Sequence, residues 1–181
     1  MTLNLQRQKF EETAFEYLSK FVEDSRTLKN LNLSGCKLGD SLGSKMFKAW
    51  ISGKSKSRGS LDLSLNLLSG NVFAGIVKDK GEKGVPLEPT QCSAISFAKN
   101  LLDDEAVGLD FISIVVKYRL QVSSLDLSDN LLGKTTLILL RQHGDAEEFC
   151  DEIDISGNSI SLLKSASIME LGASQIKMKY T

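Results

Sequence analysis

The sequence predicts an α/β solenoid, a short right-handed horseshoe with a parallel sheet on the concave face and helices on the convex face. Leucine and serine, with 28 and 23 copies in 181 residues, make up more than a quarter of the chain. A strand-and-turn motif recurs along the sequence, and the apolar spacing changes from two residues within the motif to 3.6 between its copies. Each copy alone would leave its apolar face in water, so we expect stacked copies to form the core.

The motif is clearest at residues 28–38 (LKNLNLSGCKL), where leucine fills every apolar position. Four further copies share an alternating apolar pair followed by asparagine, and weaker copies occur at Leu3 and Ile176. The predicted strands start near 3, 31, 61, 95, 125, 153 and 176, with spacings of 28, 30, 34, 30, 28 and 23 residues. We therefore predict one domain over residues 1–181, built from about seven units.

This pattern resembles leucine-rich repeats of the ribonuclease-inhibitor type, whose units are about 28 residues long. The resemblance covers essentially the whole chain. It implies a short strand and a full helix in each unit, and a protein that binds other proteins without catalysis.

Asparagine recurs at the place where each strand turns away from the sheet. The positions are Asn66, Asn100, Asn130 and Asn158, and Cys36 takes the same place in the second unit. An asparagine amide is both donor and acceptor, so it can satisfy backbone groups of its own turn and of the adjacent unit. We predict a structural role for these residues, with a buried hydrogen-bond ladder running from unit to unit.

Between the strands, apolar residues follow a helical period. The clearest stripes contain Ala14, Phe15, Leu18, Phe21 and Val22, then Leu42, Met46, Ala49 and Trp50, then Ala106, Leu109, Ile112 and Val116. Residues 70–78, 134–142 and 161–170 predict three more helices. We expect the apolar side chains of all six to form core packing.

Composition excludes several classes of function. A net charge of −1 gives no overall attraction to nucleic acid, and no apolar run reaches the roughly 18 residues of a membrane span. Neither a catalytic motif nor a cofactor fingerprint occurs, so we expect no enzyme and no cofactor. Three widely spaced cysteines, Cys36, Cys92 and Cys150, predict reduced core or turn residues without disulfide or zinc. These features favour a cytoplasmic protein.

Two basic segments interrupt the repeats. Residues 53–59 (GKSKSRG) contain no apolar side chain and predict an exposed loop, and residues 78–91 contain both prolines. Both segments follow a predicted helix, which places them at one edge of the solenoid. They predict a basic rim, either solvated or able to bind an anion or a membrane surface, formed by Lys54, Lys56, Arg58, Lys78, Lys80 and Lys83.

The predicted concave face carries an acidic site. The outward strand positions form a middle column of Asn4, Asn32, Asp62, Ser96, Asp126, Asp154 and Lys177. Five carboxylates fall on two adjacent strands, and such a cluster repels itself unless it is solvated or meets a basic partner. The candidate partner-binding residues are therefore Asp62, Ser96, Asp126, Asp129, Asp151, Glu152 and Asp154. The alternative is that these carboxylates only keep the exposed strands soluble.

Three functions stay open from the sequence. The first is an interaction module that binds a basic segment of a protein partner on the concave face, and it includes an effector delivered into a host cell by an intracellular bacterium. The second is a regulator of a small GTPase, because Ran GTPase-activating proteins resemble this fold and use an acidic surface. The third is an enzyme with an unrecognised site. The first strand also lacks the polar cap that usually ends a solenoid, which predicts self-association through that edge or a longer array.

Overall fold

A computed structural model describes residues 1–55, 57–78, 88–147, 149–159 and 177–179, with residues 143–147 described by their backbone. The described residues contain a seven-stranded parallel sheet in which the strands lie in chain order. Consecutive units are therefore neighbours, as a solenoid requires. The strands are β1 (Thr2–Asn4), β2 (Asn30–Asn32), β3 (Ser57–Asp62), β4 (Thr90–Ser96), β5 (Leu120–Asp126), β6 (Cys150–Asp154) and β7 (Lys177–Lys179).

Helices connect the strands on the side of the sheet opposite the outward column. They are α1 (Glu12–Asp24), α2 (Asp40–Ser52), α3 (Asn71–Lys78), α4 (Ile112–Tyr118) and α5 (Lys134–Glu147), and a π-helical segment over Ala106–Phe111 leads directly into α4. The α/β solenoid predicted from the sequence is confirmed. The helix predicted over 161–170 lies outside the described residues.

The register of the sheet aligns the first residue of the alternating apolar pair in each motif. Leu31 pairs with Leu61, Leu61 with Ile95, and Ile95 with Leu125. The backbone hydrogen bonds between neighbouring units continue beyond the strands. The N–H of Leu63 donates to Ser96 O at 2.8 Å, and that of Leu65 donates to Ala98 O at 2.9 Å. The buried leucines and the turns that follow them are therefore locked together from unit to unit.

The seventh strand has a different register from the one that the repeat pattern predicts. The prediction placed Ile176 beside Ile153 and Lys177 in the outward column, whereas Met178 pairs with Ile153 and Lys179 with Asp154. A shift of two residues leaves every side chain on the same face, so the alternating pattern alone does not distinguish the two registers.

Aromatic rings fill the centre of the core. Phe47, Phe73, Phe97 and Phe111 come from four different elements or turns and are all completely buried. Phe97 lies 5.2 Å from both Phe47 and Phe73, edge to face in each case. Aromatic pairs in this arrangement stabilise a core beyond their buried area, so this cluster joins the middle units.

The asparagine ladder has the geometry that the sequence predicts. Asn100 Oδ1 accepts the N–H of Leu68 in the preceding unit at 3.2 Å. Its Nδ2 donates to Leu63 O at 3.0 Å and to Phe97 O at 2.9 Å. Cys36 Sγ makes the corresponding contact with Leu5 O at 3.1 Å. The turn polar groups are thus satisfied inside the core.

Some predicted stripe residues are exposed. Leu109 and Val116 are 55% and 47% exposed, although the stripe was expected to pack inward, and Phe21 on α1 is also exposed. The π-helical segment explains the first two, because it inserts an extra residue per turn and shifts the 3.6-residue phase.

The described residues between 53 and 59 do not form the exposed loop that the sequence predicts, since Gly53, Ser55 and Arg58 are buried. β3 begins at Ser57, and Arg58 is only 3% exposed. Arg58 pairs with Cys92, in the inward column that also contains Leu28, Val122 and Cys150. Its guanidinium donates to Val22 O at 2.9 Å and Leu28 O at 3.3 Å and lies 4.6 Å from the Trp50 ring.

The predicted basic rim is therefore wrong for Arg58, whose charge stabilises the carbonyl groups of Val22, in the last turn of α1, and of Leu28. Burial lowers the pKa of this guanidinium. Lys54 is exposed but lies 2.6 Å from Asp24, and Lys78 is exposed at the end of α3. The other three rim residues, Lys56, Lys80 and Lys83, lie outside the described residues.

Candidate functional site

The outward middle column is continuous across all seven strands. The sheet pairs Asn4 with Asn32, Asn32 with Asp62, and onward through Ser96, Asp126 and Asp154 to Lys179. Most of this column lines a groove of about 590 Å³ that also contains Asn30, Ser60, Ala94 and Ser124. Adjacent strands lie about 4.8 Å apart, so the column presents one polar group at that interval along the sheet.

Each outward residue from Asn4 to Asp154 also accepts a backbone N–H of the turn that follows its strand. Asp126 Oδ1 accepts the N–H and the hydroxyl of Ser128 at 3.0 and 2.7 Å. Asp154 makes the same two contacts with Ser156, at 3.0 and 2.7 Å. Asn32 Oδ1 accepts the N–H of Ser34 at 2.9 Å, so an amide serves the turn as well as a carboxylate does.

Negative charge is concentrated toward the C-terminal end of the column, on the two strands before the last. Asp126 and Asp154 are direct neighbours, and Glu152 precedes Asp154 by two residues on the same face. Lys179 Nζ forms an ion pair with Glu152 Oε1. The hydrogen bond and charge of Glu152, together with the charges of Asp154 and Asp126, raise the pKa of Lys179. Asp126 lines the groove, and Glu152 and Asp154 lie on the adjacent strand. We call these three residues the acidic end.

Of the remaining sequence-predicted residues, two join the groove and two lie apart from it. Asp62 and Ser96 line the groove beside Asp126, and Ser96 Oγ donates to Asp126 Oδ2 at 3.2 Å. Asp129 follows β5 at the sheet edge, exposed and 4.0 Å from Lys99 Nζ. Asp151 lines a different groove of about 420 Å³, with Gln91 and Gln121 at the beginnings of the strands.

The three cysteines are free and buried. Burial raises the pKa of Cys92 to about 11 and that of Cys150 to about 12. Burial also raises the pKa of Cys36. A thiol with so high a pKa is a poor nucleophile at neutral pH, so these residues belong to the packing of the core.

The groove is suited to binding a polar chain segment along the sheet. Within the described ranges, no cluster of three or more histidine, cysteine or carboxylate side chains is arranged to hold a metal ion. A search of the same residues found no helix with the length and hydrophobicity of a membrane span. What the site offers is a row of hydrogen-bonding groups that reaches three carboxylates, with Lys177 and Lys179 beside them on the last strand.

Parallel strands inside, helices outside and a shared polar ladder at the turns define a repeat solenoid, a class whose curved sheets provide extended binding surfaces. The family model for the Leucine Rich Repeat matches residues 27–48, which contain β2 and the first part of α2. The match and the fold together support a leucine-rich repeat protein, and leucine-rich repeat domains are generally protein-interaction modules. The comparison with curated proteins found no match.

Two features of the site escaped the sequence interpretation. One is the turn-holding role of the outward residues, which the recurring Asx-x-Ser spacing at 32–34, 62–64, 126–128 and 154–156 could have revealed. The other is Lys179, which the alternative register of the last strand brings to the acidic end. No signal in the sequence chooses between those two registers.

Proposed function

We propose that this chain is a non-catalytic interaction module that binds a basic segment of a protein partner in the concave groove. The observation that carries the proposal is the position of Lys179. An exposed ammonium group already contacts Glu152 and responds to the charges of Asp126 and Asp154. A lysine or arginine of a partner, placed about one strand spacing from Lys179, would be attracted by the same three carboxylates.

The geometry of the groove supports an extended partner segment. Its polar groups repeat at the strand spacing of about 4.8 Å, and the first four residues of the column are two amides, the Asp62 carboxylate and a hydroxyl. Basic side chains would bind at the acidic end and at Asp62, while the amides and the hydroxyl would provide hydrogen bonds to backbone or polar groups. Because large aromatic anchors do not line this groove, we expect modest affinity.

The units also support assignment to the ribonuclease-inhibitor type. Each of α1, α2 and α5 has 13 or 14 residues and follows a short strand, as that type implies.

The test removes charge while keeping the turn contacts. In Asp126→Asn with Asp154→Asn, each amide oxygen can accept the serine N–H, as Asn32 already does in its own unit. A fluorescent 12-residue peptide rich in lysine and arginine should bind the unchanged protein, with affinity that falls as salt rises. The double variant should bind at least about fivefold more weakly.

A matched control carries the same change of charge on the convex side. Glu23→Gln with Asp24→Asn removes two exposed carboxylates from the end of α1. This variant should bind the peptide as the unchanged protein does. Equal binding by the groove variant and the unchanged protein would show that the acidic end is not the site.

A second part of the proposal concerns self-association through β1. This strand pairs with β2 on one side and is the edge of the sheet within the described residues. An edge strand offers unpaired backbone groups to another chain. Sedimentation velocity over a wide concentration range tests it, since a single monomeric species at the highest concentration would contradict the proposal.

A further inference from the structure

Four leucines lie exposed in one band, beyond the C-terminal ends of the strands, where the chain turns toward the helices. Leu67, Leu101 and Leu131 directly follow the ladder asparagine in three successive units and are 59%, 49% and 58% exposed. Leu65, two residues before Leu67, is 48% exposed. We call these four residues the leucine ridge.

Backbone hydrogen bonds make the ridge continuous. The N–H of Leu101 donates to Leu68 O and the N–H of Leu131 donates to Leu102 O, both at 2.8 Å. Each bond joins one unit to the next at the position of a ridge leucine. The three turns are therefore spaced at about the distance between neighbouring strands, 4.8 Å.

The fold does not require leucine at these places. Lys37 and Ser159 occupy the same position in the second and sixth units, and both are exposed. Leu65 has a left-handed backbone with φ of 56°, as does the equivalent residue of the other units, which is Arg7, Gly35, Lys99, Asp129 or Gly157. Because the turn requires neither leucine nor an apolar residue at these places, exposed leucines in a continuous band indicate contact with another molecule.

Negative charge lies on both sides of the ridge. On the helix side, Asp103 and Glu105 are exposed. Burial, followed by the charge of Glu105 and then that of Asp103, raises the pKa of Asp110 against the opposing charge of Lys78. On the sheet side lies Asp129, with 52% of its side chain exposed.

Lys99 lies on the sheet side, 4.0 Å from Asp129. The ridge is thus an apolar strip with the exposed carboxylates of Asp103 and Glu105 on its helix side and the Asp129–Lys99 ion pair on its sheet side.

We propose that the leucine ridge docks an amphipathic helix of a partner protein, with lysine or arginine side chains bordering the apolar face of that helix. Side chains on one face of a helix recur every turn, about 5.4 Å. This spacing is close to the separation of about 4.8 Å between successive ridge turns over the three units. The basic border of the helix meets Asp129 on one side and Asp103 and Glu105 on the other. The inference rests on the proposed function and extends the same binding surface beyond the groove.

The experiment uses three synthetic 18-residue peptides and the full chain. One peptide has leucine at i, i+3, i+4 and i+7 with flanking lysines, the second replaces the lysines by glutamate, and the third scrambles the first. Fluorescence anisotropy should show that the leucine–lysine peptide binds at least tenfold more tightly than the other two. Absence of binding, or equal binding of all three, would overturn the proposal.

Variants then locate the contact. Leu101→Gln with Leu131→Gln should weaken binding of the leucine–lysine peptide at least tenfold. Leu65→Gly tests the ridge without risk to the fold, because glycine has this place in two other units, and it should weaken binding severalfold. Leu109→Gln with Val116→Gln, a matched change of exposed residues on the convex side, should alter binding less than twofold. Ridge variants that bind like this control would contradict the proposal.

Two further outcomes separate this proposal from others. If Asp126→Asn with Asp154→Asn leaves cationic peptides bound while the ridge variants lose them, the groove proposal fails and the ridge proposal stands. The reverse pattern rejects the ridge alone. If sedimentation velocity shows a dimer that Leu101→Gln with Leu131→Gln abolishes, the occupant is a second copy of the chain and the proposed partner helix is wrong.

Discussion

The asparagine ladder predicts that equivalent asparagines differ in their contribution to stability. The perturbation is replacement by alanine, at Asn66 in one variant and at Asn100 in another. Both side chains are buried, and both make one acceptor contact and three donor contacts in the turns. The difference lies in what remains bonded after the side chain is removed.

Removal of Asn100 leaves one backbone group without a partner. The carbonyls that it bonds keep a second donor, because Leu63 O also accepts Asn66 Nδ2 and Phe97 O also accepts Asn130 Nδ2. Ala98 O also accepts a backbone N–H. Only the N–H of Leu68 loses its acceptor, which costs about 1–3 kcal/mol for a buried group.

Removal of Asn66 leaves two groups without a partner. The N–H of Leu38 loses its acceptor, and Leu33 O loses the donor that Asn66 Nδ2 provides. Leu33 O has no second donor among the described residues, because the preceding ladder position is Cys36, whose Sγ contacts Leu5 O. The cost should be about twice that of Asn100→Ala, or roughly 2–6 kcal/mol.

Urea unfolding followed by circular dichroism measures both free energies, and fluorescence of the single, buried Trp50 provides a second probe. Asn71→Ala, at an exposed position that begins α3, is the control and should change stability by less than about 0.5 kcal/mol. Equal destabilisation by Asn66→Ala and Asn100→Ala would refute the sharing of carbonyls. Values no larger than the control would refute the ladder itself.

Three other variants test separate parts of the fold. Arg58→Ala should destabilise the protein by about 2–5 kcal/mol, because it leaves a cavity and unpaired carbonyls, and a thermal melt unchanged from that of the parent would contradict the buried contacts. Burial alone would raise the pKa of Asp104, but hydrogen bonds from Thr136 and Gly133 outweigh it, so the pKa is lowered. The carboxylate therefore contributes to the stability of the fold fully above the unfolded pKa of about 3.9, and this contribution disappears as pH falls through the folded pKa. Asp104→Asn should therefore lose stability less steeply in acid, and parallel pH profiles would count against this. Leu65→Gly should keep or raise the free energy of unfolding by up to about 1 kcal/mol in urea melts, since it relieves a left-handed leucine, and clear destabilisation would argue against strain there.

The repeated features of the fold were predictable from the sequence because they depend on local periodicity. Alternating leucines such as Leu125 and Leu127 must face inward if each unit is to bury its apolar side, and stacking then determines strand order. The ladder role of Asn100 follows equally directly, since a buried amide between two turns has backbone groups on both sides.

Features that depend on three-dimensional neighbours were not predictable in this way. Arg58 is the clearest case, because a charged residue in a run of glycine, serine and lysine indicates solvent exposure. Its burial depends on the carbonyl groups of Val22 in α1 and of Leu28, which lie 36 and 30 residues earlier, and on the ring of Trp50. Its aliphatic stem fills the place of a leucine while its head reaches those groups.

The candidate site was predictable in composition but not in detail. The outward positions of Asp62, Ser96 and Asp126 followed from the alternation along each strand. The position of Lys179 and the separation of Asp151 from the groove depend on register and on the start of each strand, where the alternating pattern carries little information. The exposed leucines also escaped, since a leucine just before the last apolar position of the motif resembles an ordinary core residue.

The most direct test of the central claim is a titration of the isotopically labelled protein with the lysine- and arginine-rich peptide, followed by amide chemical shifts. We expect the largest changes at Ser128 and Ser156, whose N–H groups donate to Asp126 and Asp154, with little change along α1 and α2. Changes centred on those helices, or spread evenly over the surface, would contradict a binding site in the concave groove.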